Sequence, residues 1–280
     1  AYPGPMPDQP VENIRLRPAL DALPAYVAGK PAADDGTVRF KISSNESPFP
    51  PLPAALQAVT DTLPAANRYP DMAAHGLRQA LGAEHGVDPA QIALSTGSVA
   101  VTGDLVRALA GDGDEVVFAW RSFEAYPILV GSHGATSVQV PLTDTHEHDL
   151  AAMAAAVTDR TRLILLCTPN NPTGTSLSSE QIEDFLAQVP DHVVVAIDEA
   201  YREFHDPATV ADTAKIFREH GNVVLLRTFS KLQGLAGLRI GHAVAHPRLA
   251  RALGQVTVPF GASVPAQVAA LASLQPQASE

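Results

Sequence analysis

Residues 163–198 read LILLCTPNNPTGTSLSSEQIEDFLAQVPDHVVVAID. The run Leu163 to Cys167 is apolar without alternation and too short for a helix, the pattern of a strand buried on both faces. Thr168 to Gly174 holds two prolines, two asparagines and a glycine, which is turn composition. Ser178 to Val189 then reads as a helix opened by Ser178-Ser179-Glu180-Gln181, with capping-box spacing between Ser178 and Gln181. Val193 to Ile197 is a second buried strand. A strand, a helix and a strand in succession form a crossover unit, which makes the two strands parallel.

The same alternation extends in both directions. Upstream, Gly76–His85 is helical, Gln91–Ser95 a strand, and a helix begins near Ser98 and ends by Gly111. Glu115–Trp120 is a strand, Phe123–Val130 a helix and Thr136–Leu142 a strand. Asp149–Val157 is an Ala-rich helix with Asp149 near its N-cap. Downstream, Asp212–His220 is a helix, Val223–Leu226 and Leu238–Ala245 are strands, and another helix starts at Arg248. Residues 11–60 are punctuated by proline and weakly patterned, with a loop over residues 43–51 and a short helix over Ala54–Thr62. The expected architecture is α/β, an open and mainly parallel sheet sandwiched by helices. Ligands of such sheets bind beyond the carboxyl ends of the strands.

Composition narrows the function. The chain has 280 residues, 46% hydrophobic and 18% charged, so a sizeable core forms and wholesale disorder is excluded. Its formal charge is −11, and no basic run suits nucleic acid or an anionic membrane. The one cysteine, Cys167, excludes an internal disulfide framework and suits a reducing compartment, so a cytoplasmic location is expected. No run reaches the ~18 apolar residues of a membrane span. Residues 1–10 carry four prolines and no apolar core, so they read as a flexible arm rather than a signal peptide.

Four strand ends carry candidate chemistry. Of four lysines (Lys30, Lys41, Lys215 and Lys231), Lys231 alone follows a buried strand inside a hydroxyl-rich turn. It is either a solvated loop lysine or a desolvated Schiff-base amine. Asp198 ends the run VVVAI, and is either a turn former or a buried carboxylate paired with a cation such as a pyridinium. Glu199 is the alternative carboxylate, but side chains alternate, so the two point differently. Thr96-Gly97-Ser98 before a helix is either a tight turn or a phosphate cradle with helix amides, for which Arg239 supplies a cation. Asn171-Pro172-Thr173-Gly174 is either a turn or a polar edge offering an amide to a ring oxygen. Phe123 and Tyr126 are either core residues or a platform for a flat cofactor. His146 and His148 sit on a polar loop without partners at ligand spacing, so they read as solvated and no metal site is expected.

As an ordered set these motifs are far more specific. Pro169-Asn170-Asn171-Pro172-Thr173-Gly174, Asp198-Glu199-Ala200-Tyr201, and Arg227-Thr228-Phe229-Ser230-Lys231 with Gly237-Leu238-Arg239 together resemble the fold-type I aminotransferases that depend on pyridoxal 5'-phosphate. The resemblance runs from about Ile14 to Leu274 and is nearer to the histidinol-phosphate aminotransferase branch. Gly97-Ser98-Val99, Trp120-Arg121-Ser122-Phe123-Glu124 and Asn67-Arg68-Tyr69-Pro70 look most like the actinobacterial aromatic (phenylalanine) aminotransferases.

The resemblance implies roles. Lys231 matches the lysine that forms the internal aldimine and shuttles the substrate proton. Asp198 matches the carboxylate at the pyridine nitrogen, and Asn171 and Tyr201 the partners of the ring oxygen. Phe123 falls at the stacking position. Ser98, Val99, Thr228, Ser230 and Arg239 fall on the phosphate side. Tyr69 matches a tyrosine that reaches the neighbouring subunit, which implies a homodimer. Residues 1–60 would be an N-terminal arm and small-domain segment at the substrate entrance, and residues 61–280 the cofactor-binding large domain. The family's pattern continues beyond this length through the rest of a small domain, which carries the arginine for the substrate α-carboxylate. Ser47 and Pro50 depart from the usual pattern near that entrance, and Leu232-Gln233-Gly234 is an uncommon variant after the lysine. The reaction implied is transfer of an amino group from an aromatic L-amino acid to a 2-oxo acid. Histidinol phosphate is the alternative donor, and a decarboxylase or lyase on the same frame the alternative class.

Overall fold

Among the described residues seven strands form a single sheet: β1 (Ile92–Ser95), β2 (Glu115–Trp120), β3 (Thr136–Pro141), β4 (Thr161–Cys167), β5 (Val194–Asp198), β6 (Val223–Thr228) and β7 (Gly241–Val244), in the order β1-β7-β6-β5-β4-β2-β3. This computed structural model describes residues 15, 17–21, 23–25 and 44–275. The expected N-terminal arm, Lys30 and Lys41 lie outside the described residues.

Strands β2 to β6 are parallel to their neighbours among themselves, whereas β7 is antiparallel to both β6 and β1. The start of β7 therefore lies beside the ends of the flanking strands, with Gly241 opposite both Ser95 and Thr228. The chain passes outward from β2 to β3 and resumes inward at β4, so its direction reverses between β2 and β4. A crevice at the carboxyl edge is expected at such a reversal.

The helices are α1 (Pro18–Asp21), α2 (Pro53–Thr62), α3 (His75–His85), α4 (Ser98–Leu109), α5 (Ala125–Ser132), α6 (Leu150–Ala155), α7 (Ser179–Leu186), α8 (Thr213–Glu219), α9 (Pro247–Val256) and α10 (Val264–Ser273). Sequence explains their starts. Ser178 and Gln181 form the expected capping box, Asp149 caps α6 through the amide of Ala152, and Asp212 caps α8 through that of Lys215.

Helices α4, α5 and α9 cover one face of the sheet; α2, α3, α6, α7, α8 and α10 cover the other. Strand residues alternate between them. Leu163, Leu165, Cys167 and Ala196 face the first set, and Ile164, Leu166, Val195 and Ile197 the second. Burying each large aliphatic side chain is worth about 1.5–3 kcal/mol, so a one-residue slip that turns the row over is strongly disfavoured. This parity also sends Asp198 toward α5 and Glu199 toward α8.

Some expected bounds move. The strand expected from Leu238 begins only at Gly241, because residues 236–238 form a 3-10 turn and Arg239 takes a left-handed φ of 56° that ends it. The helix expected from Phe123 begins at Ala125, which leaves Phe123 in the loop. Helix α10, unread in the sequence, is capped by Ser263 and lies against α2. Among the described residues no helix is long and apolar enough to cross a membrane.

Candidate active site

A cavity of about 290 Å³ opens at the carboxyl edge of the sheet. The junction of β1 and α4 contributes Ser98 and Val99, and the loop after β2 contributes Phe123. Strand β4 and its loop give Cys167 and Asn171, and β5 with its loop gives Asp198 and Tyr201. Thr228, Ser230 and Lys231 follow from β6, and Arg239 precedes β7. Ten residues singled out in the sequence thus share one cavity. Tyr69 does not join them: its side chain is 82% exposed and stacks on Phe260 with ring centroids 4.8 Å apart.

One end of the cavity is built for an anion. Gly97, the N-cap of α4, offers no side-chain cap, so the helix's first amides remain available to a ligand. Gly97 has φ 93°, and a Cβ there would meet the Arg239 guanidinium at 2.5 Å. A Cβ on Gly241 would overlap the backbone of Gly97 and Ser98. Two glycines therefore let strand, helix start and arginine approach closely. Arg239 is held by the carbonyls of Ala236 at 2.8 Å and Thr96 at 3.4 Å, and Thr228 Oγ1 accepts the Ser230 amide at 3.1 Å.

The other end carries a carboxyl group. Asp198 is 4% exposed; its Oδ2 accepts the Tyr126 hydroxyl at 2.7 Å and its Oδ1 the Ala200 amide at 3.2 Å. Burial raises its pKa, and these two bonds offset only part of that rise. Beside it the Cys167 thiol is pushed up to about 12, by burial first and then by the Asp198 charge, so it stays protonated. Glu199 faces the opposite side, where Arg202, Thr213 and Arg227 hold it.

Between the two ends lies Lys231. Its Nζ donates to the carbonyls of Asn45 at 3.0 Å and Ser44 at 3.3 Å and sits 5.3 Å from the Tyr201 ring centroid. The amine is half-buried, and burial is the main cause of its lowered pKa; Arg239 lowers it further, while Glu46 and Asp198 oppose. Asn45 Nδ2 donates to the Tyr201 hydroxyl at 2.9 Å. Asn170 is buried and ties the loop internally, accepting Ser122 Oγ at 2.7 Å and donating to the Arg121 carbonyl and Thr173 Oγ1. Asn171 is left to line the cavity.

His148 is buried beside Asn170, not solvated as its polar surroundings suggested. Among the described residues no group of three or more His, Cys, Asp or Glu could hold a metal. Sequence reasoning gave no role to Asn45 or Arg227, and it read Tyr126 as core or platform, not as the partner of Asp198. Only for Tyr126 is a signal present: the parity that places Cys167 and Asp198 on the face covered by α5.

The sequence matches a family model described as "Aminotransferase class I and II" over residues 38–280. It is 55% identical over 261 residues to an aromatic amino acid aminotransferase of Streptomyces coelicolor, covering 93% of this chain and 73% of that one. It is 52% identical over 258 residues to an aromatic amino acid aminotransferase of Cutibacterium acnes, covering 92% and 72%. Among solved structures, the histidinol-phosphate aminotransferase of Sinorhizobium meliloti in complex with pyridoxal-5'-phosphate superposes with a TM-score of 0.83 at 32% identity, covering 94% of this chain and 71% of that one.

Proposed function

This chain belongs to the class I and II aminotransferases, and from that premise we propose that it transfers the amino group of an aromatic L-amino acid to a 2-oxo acid, with pyridoxal 5'-phosphate as cofactor. The observation that carries the reading is the single cavity that sets Lys231 between a buried carboxyl group and an anion-binding helix start. The residues present fit the cofactor's groups. Ser98, Val99, Thr228, Ser230 and Arg239 offer amides, hydroxyls and a cation for a phosphate. Asp198 suits a protonated ring nitrogen, Asn171 and Tyr201 suit a ring oxygen, and Phe123 offers a flat apolar surface.

When bound, the cofactor supplies the electron sink that makes an amino acid's Cα–H acidic enough to lose. The chain's own residues do the rest. Burial raises the neutral fraction of the Lys231 amine, which a nucleophile and proton carrier requires. Asp198 would place a carboxylate where the ring nitrogen must stay protonated. Arg239 and the start of α4 would hold the phosphate. The aromatic donor is supported by the Streptomyces and Cutibacterium relatives named above. A cytoplasmic location forms part of the proposal, supported by the single, buried cysteine.

The substrate reading is tested by adding phenylalanine, then histidinol phosphate, to the cofactor-loaded protein. Phenylalanine is expected to bleach the visible band and to yield its 2-oxo acid. Bleaching by histidinol phosphate alone would move the assignment to histidine synthesis, and release of CO2 with an amine would make it a decarboxylase. No visible band at all would remove the cofactor from the proposal.

The proposal includes a homodimer. Tyr69, Met72 and Val258 are more than three-fifths exposed and lie with Phe260, an apolar patch that suits a second copy. Sedimentation equilibrium is expected to give twice the chain mass; a monomer at every concentration would rule the dimer out.

A further inference from the structure

Tyr126 lies outside the cavity, with no exposed surface, on the first turn of α5. Its hydroxyl crosses 72 residues of sequence to donate to Asp198 Oδ2 at 2.7 Å, the only side-chain hydrogen bond to that carboxyl among the described residues. Its ring packs edge-on against Phe118 and Phe123, with centroids 5.7 and 5.5 Å away. Phe123 faces the cavity, so one buried side chain touches two of the groups that line it.

Resting on the function proposed above, we infer that Tyr126 is a positioning residue: through its hydroxyl it fixes the orientation of the Asp198 carboxylate and keeps it charged toward the cofactor's ring nitrogen. A carboxylate offers about four acceptor sites, and two are taken by Tyr126 and Ala200, so acceptor capacity remains for a ligand. Without the hydroxyl the carboxylate loses a strong donor in a dry site, and two effects follow. The group rotates more freely, and it takes up a proton more readily, since burial already favours its neutral form. The other groups facing it do not replace that donor. Cys167 on β4 stays protonated but spends its Sγ–H on the Pro169 carbonyl at 3.4 Å. Glu199, next along the chain after β5, opposes the charge, and Lys231 supports it from across the cavity.

Tyr126→Phe isolates the hydroxyl, because the ring and its packing against Phe118 and Phe123 stay. The measurement is the dissociation constant of pyridoxal 5'-phosphate across pH, in wild type, Tyr126→Phe, Asp198→Asn and the double variant. Loss of a hydrogen bond to a charged group predicts about tenfold weaker binding in Tyr126→Phe. The weakening on acidification is expected to begin at higher pH than in wild type, since Asp198 loses a bond that holds its pKa down. In the Asp198→Asn background the same change is expected to cost little, because its partner is already neutral. Equal losses in both backgrounds, or a wild-type affinity and pH profile in Tyr126→Phe, would overturn the inference and leave the function standing. A wild-type chain that takes up no cofactor would overturn the proposed function and this inference with it.

Discussion

Replacing Lys231 with alanine is expected to abolish the absorption band of the covalently attached cofactor and to lower turnover at least about 10³-fold. The chain has four lysines. Lys215 is exposed on α8 and pairs with Glu219 at 3.9 Å, away from the cavity. Lys30 and Lys41 lie outside the described residues. Lys231 is thus the one described lysine within reach of a ligand bound between Asp198 and Arg239. Its surroundings also set its chemistry. An ammonium in a half-buried pocket near Arg239 gives up its proton more easily than one in water, and the free amine is the reactive form. The fold is expected to tolerate the change, because Nζ makes only two hydrogen bonds to loop carbonyls. Far-UV circular dichroism should match wild type, and the phosphate end should still take up the cofactor, now with the spectrum of its free aldehyde. A variant that keeps the band of the covalently attached cofactor would place the reactive amine elsewhere and dismantle the site.

Much of this fold and site is legible in the amino-acid sequence, and the residues that are not legible share a physical reason. Strands β2, β4, β5 and β6 are readable because a buried parallel strand is an unbroken apolar run, and Val, Ile and Leu have little else to do in such short segments. Lys231, Asp198 and Arg239 are readable because strand ends are where such sheets bind ligands. The direction of β7 is not, since an apolar run has no sign and only its pairing with β1 and β6 shows that it runs backward. Helix α10 is hidden by an Ala-rich composition with weak periodicity. The bond from Tyr126 to Asp198 spans three strands of chain, and periodicity predicts which face a residue takes, not which partner it meets there. The cluster around Glu199 is hidden for the same reason: Arg202, Thr213 and Arg227 come from three separate elements.

That cluster carries the largest stability effect expected. Glu199 is 1% exposed and accepts Arg202 Nη1 at 3.0 Å, Thr213 Oγ1 at 2.7 Å and Arg227 Nε at 2.8 Å. Arg227 also reaches Glu203 at 3.1 Å, but Glu199 is the one fully buried anion between the two guanidinium groups. Glu199→Ala leaves both cations in place without it, a loss of about 3–5 kcal/mol. Against a total of about 5–15 kcal/mol for a domain, that is a large fraction. The positive field already acts further in, where His85 and His242 meet at 2.9 Å. Burial first, then Arg227, lowers His85 to about 4; burial first, then His85 and Arg227, holds His242 well below its usual range. A histidine whose folded pKa lies below its unfolded value stays neutral in the fold and takes up its proton on unfolding. Its contribution is therefore intact above pH ~6.5 and lost as the pH falls from there toward about 4. Removing Glu199 deepens this, since its charge raises the His85 pKa. Thermal unfolding at pH 8 should show Glu199→Ala melting roughly 10 °C below wild type, and both proteins should lose stability as the pH falls from 8 to 5.5. Glu180→Ala, on the exposed first turn of α7, is the control and should melt with wild type at both pH values. If Glu199→Ala melts with that control, the buried pairs around Glu199 contribute nothing net. The carboxyl ends of β5 and β6, which carry Asp198 and Lys231, would then be held by sheet pairing and apolar packing alone.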